Sequence, residues 1–250
     1  MLVRANELNL SCTLSGPEDG LAVVFVHGLA ASSSVWDEQA RRFEVRHRVV
    51  RFDLRSHGGS DVVVTPCTRS DLVADLVGLL DGLNVESAVV VGHSAGGVVA
   101  MQTAIEAPGR VAGLVLVGTA SECNDKTAAW YRRTAEQAER EGGETAMKAM
   151  GIKPGSGAVP DGPGLAQLAR AMATLNQEPL TERLREVTAP ALIIVGENDF
   201  LGVGGSVIVS RAIPQSQFEI VPGRGHGIYV EDPDWFAGRV LDFLAVIEGR

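Results

Sequence analysis

Ser94 stands at the centre of Gly92-His93-Ser94-Ala95-Gly96, directly after the Val-rich run Ala88 to Val91 and directly before a helical pattern that begins near Ala95. On a sharp strand-to-helix turn the backbone is strained and the hydroxyl is thrust outward, and Gly92 and Gly96 remove the side chains that would collide with neighbouring turns. A plain glycine turn shows the same letters by chance. The strand before it and the helix after it make the pattern specific.

A serine hydroxyl is a poor nucleophile at neutral pH, so acyl chemistry needs a histidine base, and that histidine needs a carboxylate to fix its tautomer. Five histidines are available. His226 lies in Pro222-Gly223-Arg224-Gly225-His226-Gly227, immediately after the strand candidate Phe218 to Val221, where strand carboxyl ends gather site loops. His27 and His57 sit in glycine turns beside early strands, His47 in the basic run Arg46-His47-Arg48, and His93 is the variable residue of the serine turn. For the acid, Asp199 in Gly196-Glu197-Asn198-Asp199 follows the strand candidate Ala191 to Val195, with Glu197 two residues closer to the strand. A helix or turn cap is the ordinary alternative for such an aspartate. The tetrahedral intermediate needs backbone donors for its oxyanion. The N–H of Ala95 and the N–H of Leu29, in the turn His27-Gly28-Leu29 after Ala22 to Val26, are the expected pair.

Positioning these groups requires strands that end together, and short Val-rich runs followed by turns and helical stretches predict that arrangement. Val49 to Phe52 and Leu114 to Val117 complete the strand candidates, and Met1 to Leu14 reads as an antiparallel hairpin leading in. Arg69 to Leu83 places Leu72, Leu76, Leu79, Leu80 and Leu83 on one helical face, and Ala95 to Ala107 is a helix ended by Pro108-Gly109. The fold class is α/β, a doubly wound, mostly parallel sheet. The alternation breaks over 121–187, where the helical patterns are Thr127 to Glu141, Glu144 to Met150, Leu165 to Leu175 and Leu180 to Val187. Residues 1–120 and 188–250 are therefore read as the core domain and 121–187 as a helical cap. Gly151 to Gly164, with five glycines and three prolines, is expected to be a mobile loop within it.

A chain of 250 residues, 45% hydrophobic and 21% charged, is long and apolar enough for a sizeable core, which excludes disorder as the main state. Twenty-two Lys and Arg against 31 Asp and Glu give a net charge of −9, which opposes nucleic-acid binding. Cys12, Cys67 and Cys123 are odd in number and widely spaced, so neither a disulfide framework nor a thiolate metal site is suggested. No signal peptide pattern opens the chain, and no apolar run approaches the ~20 residues of a membrane span. A cytoplasmic protein, free of membrane and nucleic-acid partners, is expected.

The chain resembles the α/β-hydrolase superfamily from end to end. Beyond the serine turn, the resemblance rests on His27-Gly28 with Trp36 downstream, on Asp53-Leu54-Arg55-Ser56-His57-Gly58-Gly59-Ser60, on Gly196-Glu197-Asn198-Asp199 and on Gly225-His226. Ser56 replaces a usual glycine, a change expected to alter the turn without touching catalysis; His57 and Trp36 are expected to be structural. The chain order Ser94, Asp199, His226 is that of the superfamily, some members of which place the acid after the preceding strand, here Glu122 or Asp125. The cap opening, Gly118-Thr119-Ala120 with Trp130 and then Gly143 to Met147, is similar to 3-oxoadipate enol-lactonases and related esterases. Dehalogenases and epoxide hydrolases of this fold use aspartate where Ser94 stands. Carbon–carbon hydrolases usually carry an aromatic where Gly227 stands. The resemblance implies a serine hydrolase of small-molecule esters or lactones that needs no cofactor and no metal. A cofactor-free haloperoxidase or perhydrolase, and a hydrolase-like ligand-sensing protein, are the alternatives. Trp130, Tyr131 and Met147 are candidates for the substrate pocket, with packing inside the cap as the other reading of each.

Overall fold

The computed structural model describes residues 1–63, 65–151 and 161–249. The strands are β1 (Leu2–Ala5), β2 (Leu8–Ser15), β3 (Ala22–Val26), β4 (Arg48–Phe52), β5 (Ala88–His93), β6 (Val111–Val117), β7 (Ala191–Gly196) and β8 (Ser216–Val221). They form one sheet in the order β1-β2-β4-β3-β5-β6-β7-β8. The β1–β2 hairpin and the β2–β4 pair are antiparallel, and β4 through β8 run parallel. The helices are α1 (Asp37–Phe43), α2 (Arg69–Gly82), α3 (Ala95–Glu106), α4 (Asp125–Glu141), α5 (Gly143–Ala149), α6 (Gly162–Ala173), α7 (Gly204–Ala212), α8 (Ile228–Glu231) and α9 (Pro233–Ile247).

Every residue of β3, β5 and β7 is buried, as expected of central strands covered on both faces. Their alternation sorts side chains between two cores. Val24, Val26, Val90, Leu114 and Ile193 join a core that includes the Leu face of α2 and the inner face of α3. Val23, Phe25, Val89, Val115 and Ile194 join a second core with Trp36, Phe43, Phe236 and Phe243, from the α1 and α9 side. Burying a side chain such as Phe25 stabilises by roughly 1.5–3 kcal/mol, so the two cores fix where the strands stop. Trp36 is fully buried, with its ring 5.1 Å from Phe25 and 4.2 Å from Tyr229. α2 starts on a capping box: Thr68 Oγ1 accepts the Asp71 N–H at 3.1 Å and Asp71 Oδ2 accepts the Thr68 N–H at 2.8 Å.

Between β6 and β7 the chain leaves the sheet for α4, α5 and α6. Ala135, Ala138, Met147, Leu165 and Ala169 form a small core of their own there. The opposite face of α6, with Leu168, Ala171 and Met172, belongs to the sheet core instead, which ties the insertion to the sheet. Two expectations need correction. Leu180 to Val187 is not an α-helix throughout: only Arg183–Glu186 is helical, as a short 3-10 helix. Of the expected loop 151–164, residues 152–160 lie outside the described residues, and 162–164 form the first turn of α6. Pro163 is tolerated there because an N–H at that position has no intrahelical acceptor to lose, and Asp161 Oδ1 caps the helix by accepting the Gly164 N–H at 2.6 Å. No described helix is long and apolar enough to cross a membrane.

Candidate active site

Ser94 joins β5 to α3 with φ 52° and ψ −117°, a conformation L-residues rarely adopt. Its N–H donates to the Val117 carbonyl at 2.9 Å and its carbonyl accepts from Thr119 Oγ1 at 2.8 Å, so β6 and the segment after it hold the strained residue from both sides. Serine at a helix N-terminus ordinarily caps the first turn. Here the backbone turns the side chain away and no cap bond forms, which leaves the hydroxyl free for chemistry. The turn is tight enough that a Cβ on Gly92 would strike the Gly96 carbonyl, and one on Gly96 would strike the Val26 carbonyl.

His226 follows β8, and its Nδ1 lies 2.8 Å from Asp199 Oδ2. The other oxygen of Asp199 accepts the Leu201 N–H at 2.8 Å, and the carboxylate is almost wholly buried. Such a partner holds Nδ1 as the donor and leaves Nε2 as the basic nitrogen. The other acid candidates bond to different partners: Glu197 accepts the Gly223 N–H, Glu122 accepts from Thr181 Oγ1, and Asp125 accepts from Asn176 Nδ2. Gly118, at the end of β6, permits a close approach, because with φ +53° a Cβ there would lie 2.8 Å from Asp199 Oδ2 and 3.0 Å from His226 Nδ1.

Two neighbours of His226 were not singled out from sequence. His93 Nε2 lies 3.1 Å from the His226 carbonyl and, opposite a carbonyl, must donate; its ring centroid is 4.5 Å from that of His226. Burial, then the nearby His226, hold the His93 imidazole well below its ordinary pKa, and its Nδ1 is buried without a partner among the described residues. The Phe200 ring meets His226 edge-on at 4.6 Å. An aromatic residue directly after the proposed acid was the one available signal for Phe200; for His93 it was adjacency to Ser94.

Ser94 opens onto two cavities. One, about 350 Å³, is lined by Leu29, Val35, Trp130, Phe200, His226 and Tyr229 among others. The second, about 320 Å³, is lined by Thr119, Glu122, Cys123, Asn124 and Thr127 among others, and Ser94, Tyr131 and Leu201 border both. No hydrogen bond joins Ser94 Oγ to His226 among the described residues. The N–H groups of Leu29 and Ala95 likewise have no acceptor among the described residues. Gly28 brings the Leu29 turn close, since a Cβ on it would lie 3.2 Å from Ser94 Cβ. Trp130 and Tyr131 both line cavity wall, but Met147 does not: it is 2% exposed within the α4–α6 core, and Met150, one turn later, reaches the cavity. Tyr131 is half-buried, and burial pushes the pKa of its phenol up to about 12, so it stays protonated.

Behind the site, His27 Nε2 accepts the Leu54 N–H at 3.0 Å and Nδ1 donates to the Gly28 carbonyl at 2.9 Å. Burial, then the neighbouring His57, lower its pKa to about 3. His57 is 1% exposed and has an interior place. Ser56, where glycine is usual, adopts φ 59°, and its Oγ accepts the Val63 N–H at 2.9 Å, a local bond that supports the turn. Among the described residues no group of three or more His, Cys, Asp or Glu side chains is placed to hold a metal ion.

A crossover sheet with a strained serine after β5, an aspartate after β7 and a histidine after β8 is the arrangement of the α/β-hydrolase fold. The chain belongs to the alpha/beta hydrolase family, whose model matches residues 23–239. A 3-oxoadipate enol-lactonase 1 of Acinetobacter baylyi is 27% identical over 273 residues, covering 99% of this chain and 97% of that protein. A non-heme chloroperoxidase of Streptomyces lividans is 44% identical over 104 residues, 41% of this chain and 38% of that protein. Among solved structures, a thermophilic esterase from Thermogutta terrifontis superposes with a TM-score of 0.89 at 27% identity, over 99% of this chain and 98% of that one.

Proposed function

We propose that this hydrolase cleaves carboxylic esters, lactones included, through a covalent acyl-enzyme. His226 Nε2 takes the Ser94 Oγ proton as Oγ attacks the carbonyl carbon, and Asp199 Oδ2 stabilises the imidazolium that forms. The Leu29 and Ala95 N–H groups donate to the oxyanion. Collapse breaks the bond to the leaving oxygen, which receives the proton from Nε2, and water then releases the acid by the same steps in reverse. Nothing in this scheme requires a metal or an organic cofactor. The observation that carries it is the backbone of Ser94, strained and uncapped, beside a histidine already bonded to a buried carboxylate. The Ser94–His226 bond that the scheme needs is of a kind that often tightens only around substrate.

Residues 1–120 and 188–250 are read as the core that supplies this chemistry, and 121–187 as a cap that shapes the cavities through Trp130 and Tyr131. Ser94→Ala tests the scheme, since a methyl fits the same turn: ester hydrolysis should fall at least ~10³-fold in kcat with the fold intact. A variant keeping a tenth of the activity would overturn it. The chloroperoxidase relative supports a second reading, perhydrolysis at the same serine, which is measured as peracid formed from acetate and hydrogen peroxide.

A further inference from the structure

Glu122 lines the same space as Ser94, yet the hydrolytic scheme gives it no task. Its side chain is exposed to the cavity and held there by hydrogen bonds. Oε2 accepts from Thr181 Oγ1 at 2.6 Å, Thr181 Oγ1 in turn lies 2.7 Å from Ser121 Oγ, and Oε1 has no partner among the described residues. The two cavities differ in character on either side of Ser94, Tyr131 and Leu201. The cavity holding His226 and Leu29 is walled by aromatic and aliphatic side chains, whereas the other carries Glu122, Asn124, Thr127 and Thr119.

The direction of proton transfer decides which part of the substrate meets which wall. His226 must hand its proton to the leaving oxygen, and His226 borders the apolar cavity alone. The alcohol part therefore lies on the apolar side, and the acyl part extends into the cavity with Glu122. Among the described residues lining either cavity, Glu122 is the only carboxylate and none is Lys or Arg. Arg69 and Arg132, whose charges reach Cys123, line neither cavity, and Arg69 is engaged by Glu178.

We propose that Glu122 selects the acyl group by charge, favouring acyl chains that carry a cation over neutral ones and neutral ones over those that carry a second carboxylate. The inference rests on the serine-hydrolase reading above and gives it a substrate class. A unit charge at ~6 Å, at an effective dielectric of ~40 for a water-exposed cavity, changes relative rates by about tenfold per charged acyl group.

The test compares p-nitrophenyl butyrate, p-nitrophenyl hemisuccinate and p-nitrophenyl 4-(trimethylammonio)butyrate, with butyrylcholine against an uncharged alkyl butyrate to place a cation on the alcohol side. Wild type should rank the first three cationic, neutral, anionic in kcat/KM. Glu122→Gln should raise the hemisuccinate-to-butyrate ratio about tenfold and lower the cationic-to-butyrate ratio by a similar factor, and Glu122→Lys should put hemisuccinate first. Both shifts should shrink at high salt, which screens charge and leaves packing alone. The butyrylcholine ratio should move less than twofold. Ratios that ignore Glu122→Gln, or a butyrylcholine ratio that moves as much as the acyl ratios, would overturn the proposal while leaving the hydrolytic reading in place. A wild-type protein that hydrolyses none of these esters would remove both.

Discussion

Adding one methyl group at Gly118 should damage catalysis far more than stability. At φ +53° an alanine costs roughly 1–2 kcal/mol in backbone strain, which is a modest fraction of a domain's stability. The larger effect is steric. The new Cβ would lie 2.8 Å from Asp199 Oδ2 and 3.0 Å from His226 Nδ1, against an ordinary carbon–oxygen contact of about 3.4 Å. The carboxylate or the imidazole must therefore retreat by about half an ångström, and the bond between them, now 2.8 Å, cannot survive unchanged. Misplacement of about 1 Å costs on the order of 10²-fold in rate, so Gly118→Ala should lose between about 10- and 100-fold in kcat on p-nitrophenyl butyrate with KM little changed. Gly142→Ala is the control: its φ of +87° carries at least as much strain, about 1–3 kcal/mol, but nothing lies within 4 Å of its Cβ position. Urea unfolding should show both variants destabilised, with only Gly118→Ala catalytically crippled. Should Gly118→Ala retain more than half the wild-type kcat, the close approach of β6 to the Asp199–His226 pair has no catalytic meaning.

His27 makes stability depend on pH. Its folded pKa of about 3 lies below the unfolded value near 6.5, so as pH falls the unfolded chain takes the proton first and stability is lost between those two values. From pH 7 to pH 5 this one group should cost about 2 kcal/mol, and His27→Gln, which keeps a donor and an acceptor, should lose that much less over the same interval in urea titrations. Equal losses in the two proteins would show that His27 is not the group responsible. In the cap, Met147→Ala should cost about 2–5 kcal/mol as a buried truncation with selectivity unmoved, whereas Trp130→Ala should shift kcat/KM between short-chain and bulky esters by more than it lowers Tm. The opposite pairing of effects would reverse their assignments.

The sheet and its serine turn were legible because each rests on local pattern. Runs such as Ala88 to Val91 are apolar at every position, and that signature of a strand covered on both faces needs no knowledge of its neighbours. The patterns above predict none of α1, α7, α8 and α9, although α9 is long and carries Phe236, Val240 and Phe243 on one buried face. Leu180 to Val187 misled in the other direction. Its leucines do pack into the sheet core, but from a turn and a short 3-10 helix, because burial of Leu180 and Leu184 is satisfied without a full α-helix.

Within the site, the legible residues share one property: each follows a strand by a few positions. β3, β5, β6, β7 and β8 are parallel, so the residues after them arrive at one edge of the sheet, and Leu29, Ser94, Asp199 and His226 meet there by topology alone, with Gly118 after β6 brought beside them. The cavity walls obey no such rule. Trp130 and Tyr131 are adjacent in sequence, yet only Tyr131 borders both cavities, and Met150 reaches the cavity where Met147 does not, because the packing of α4 and α5 decides which side of each helix faces Ser94. On the proposed hydrolytic scheme, reaction type and substrate choice would reside in separable parts of the chain. Substitutions at Trp130 and Tyr131 of α4, at Met150 after α5 and at the residues after Asp199 should redirect specificity at constant chemistry, while the strand ends tolerate almost no change without loss of rate.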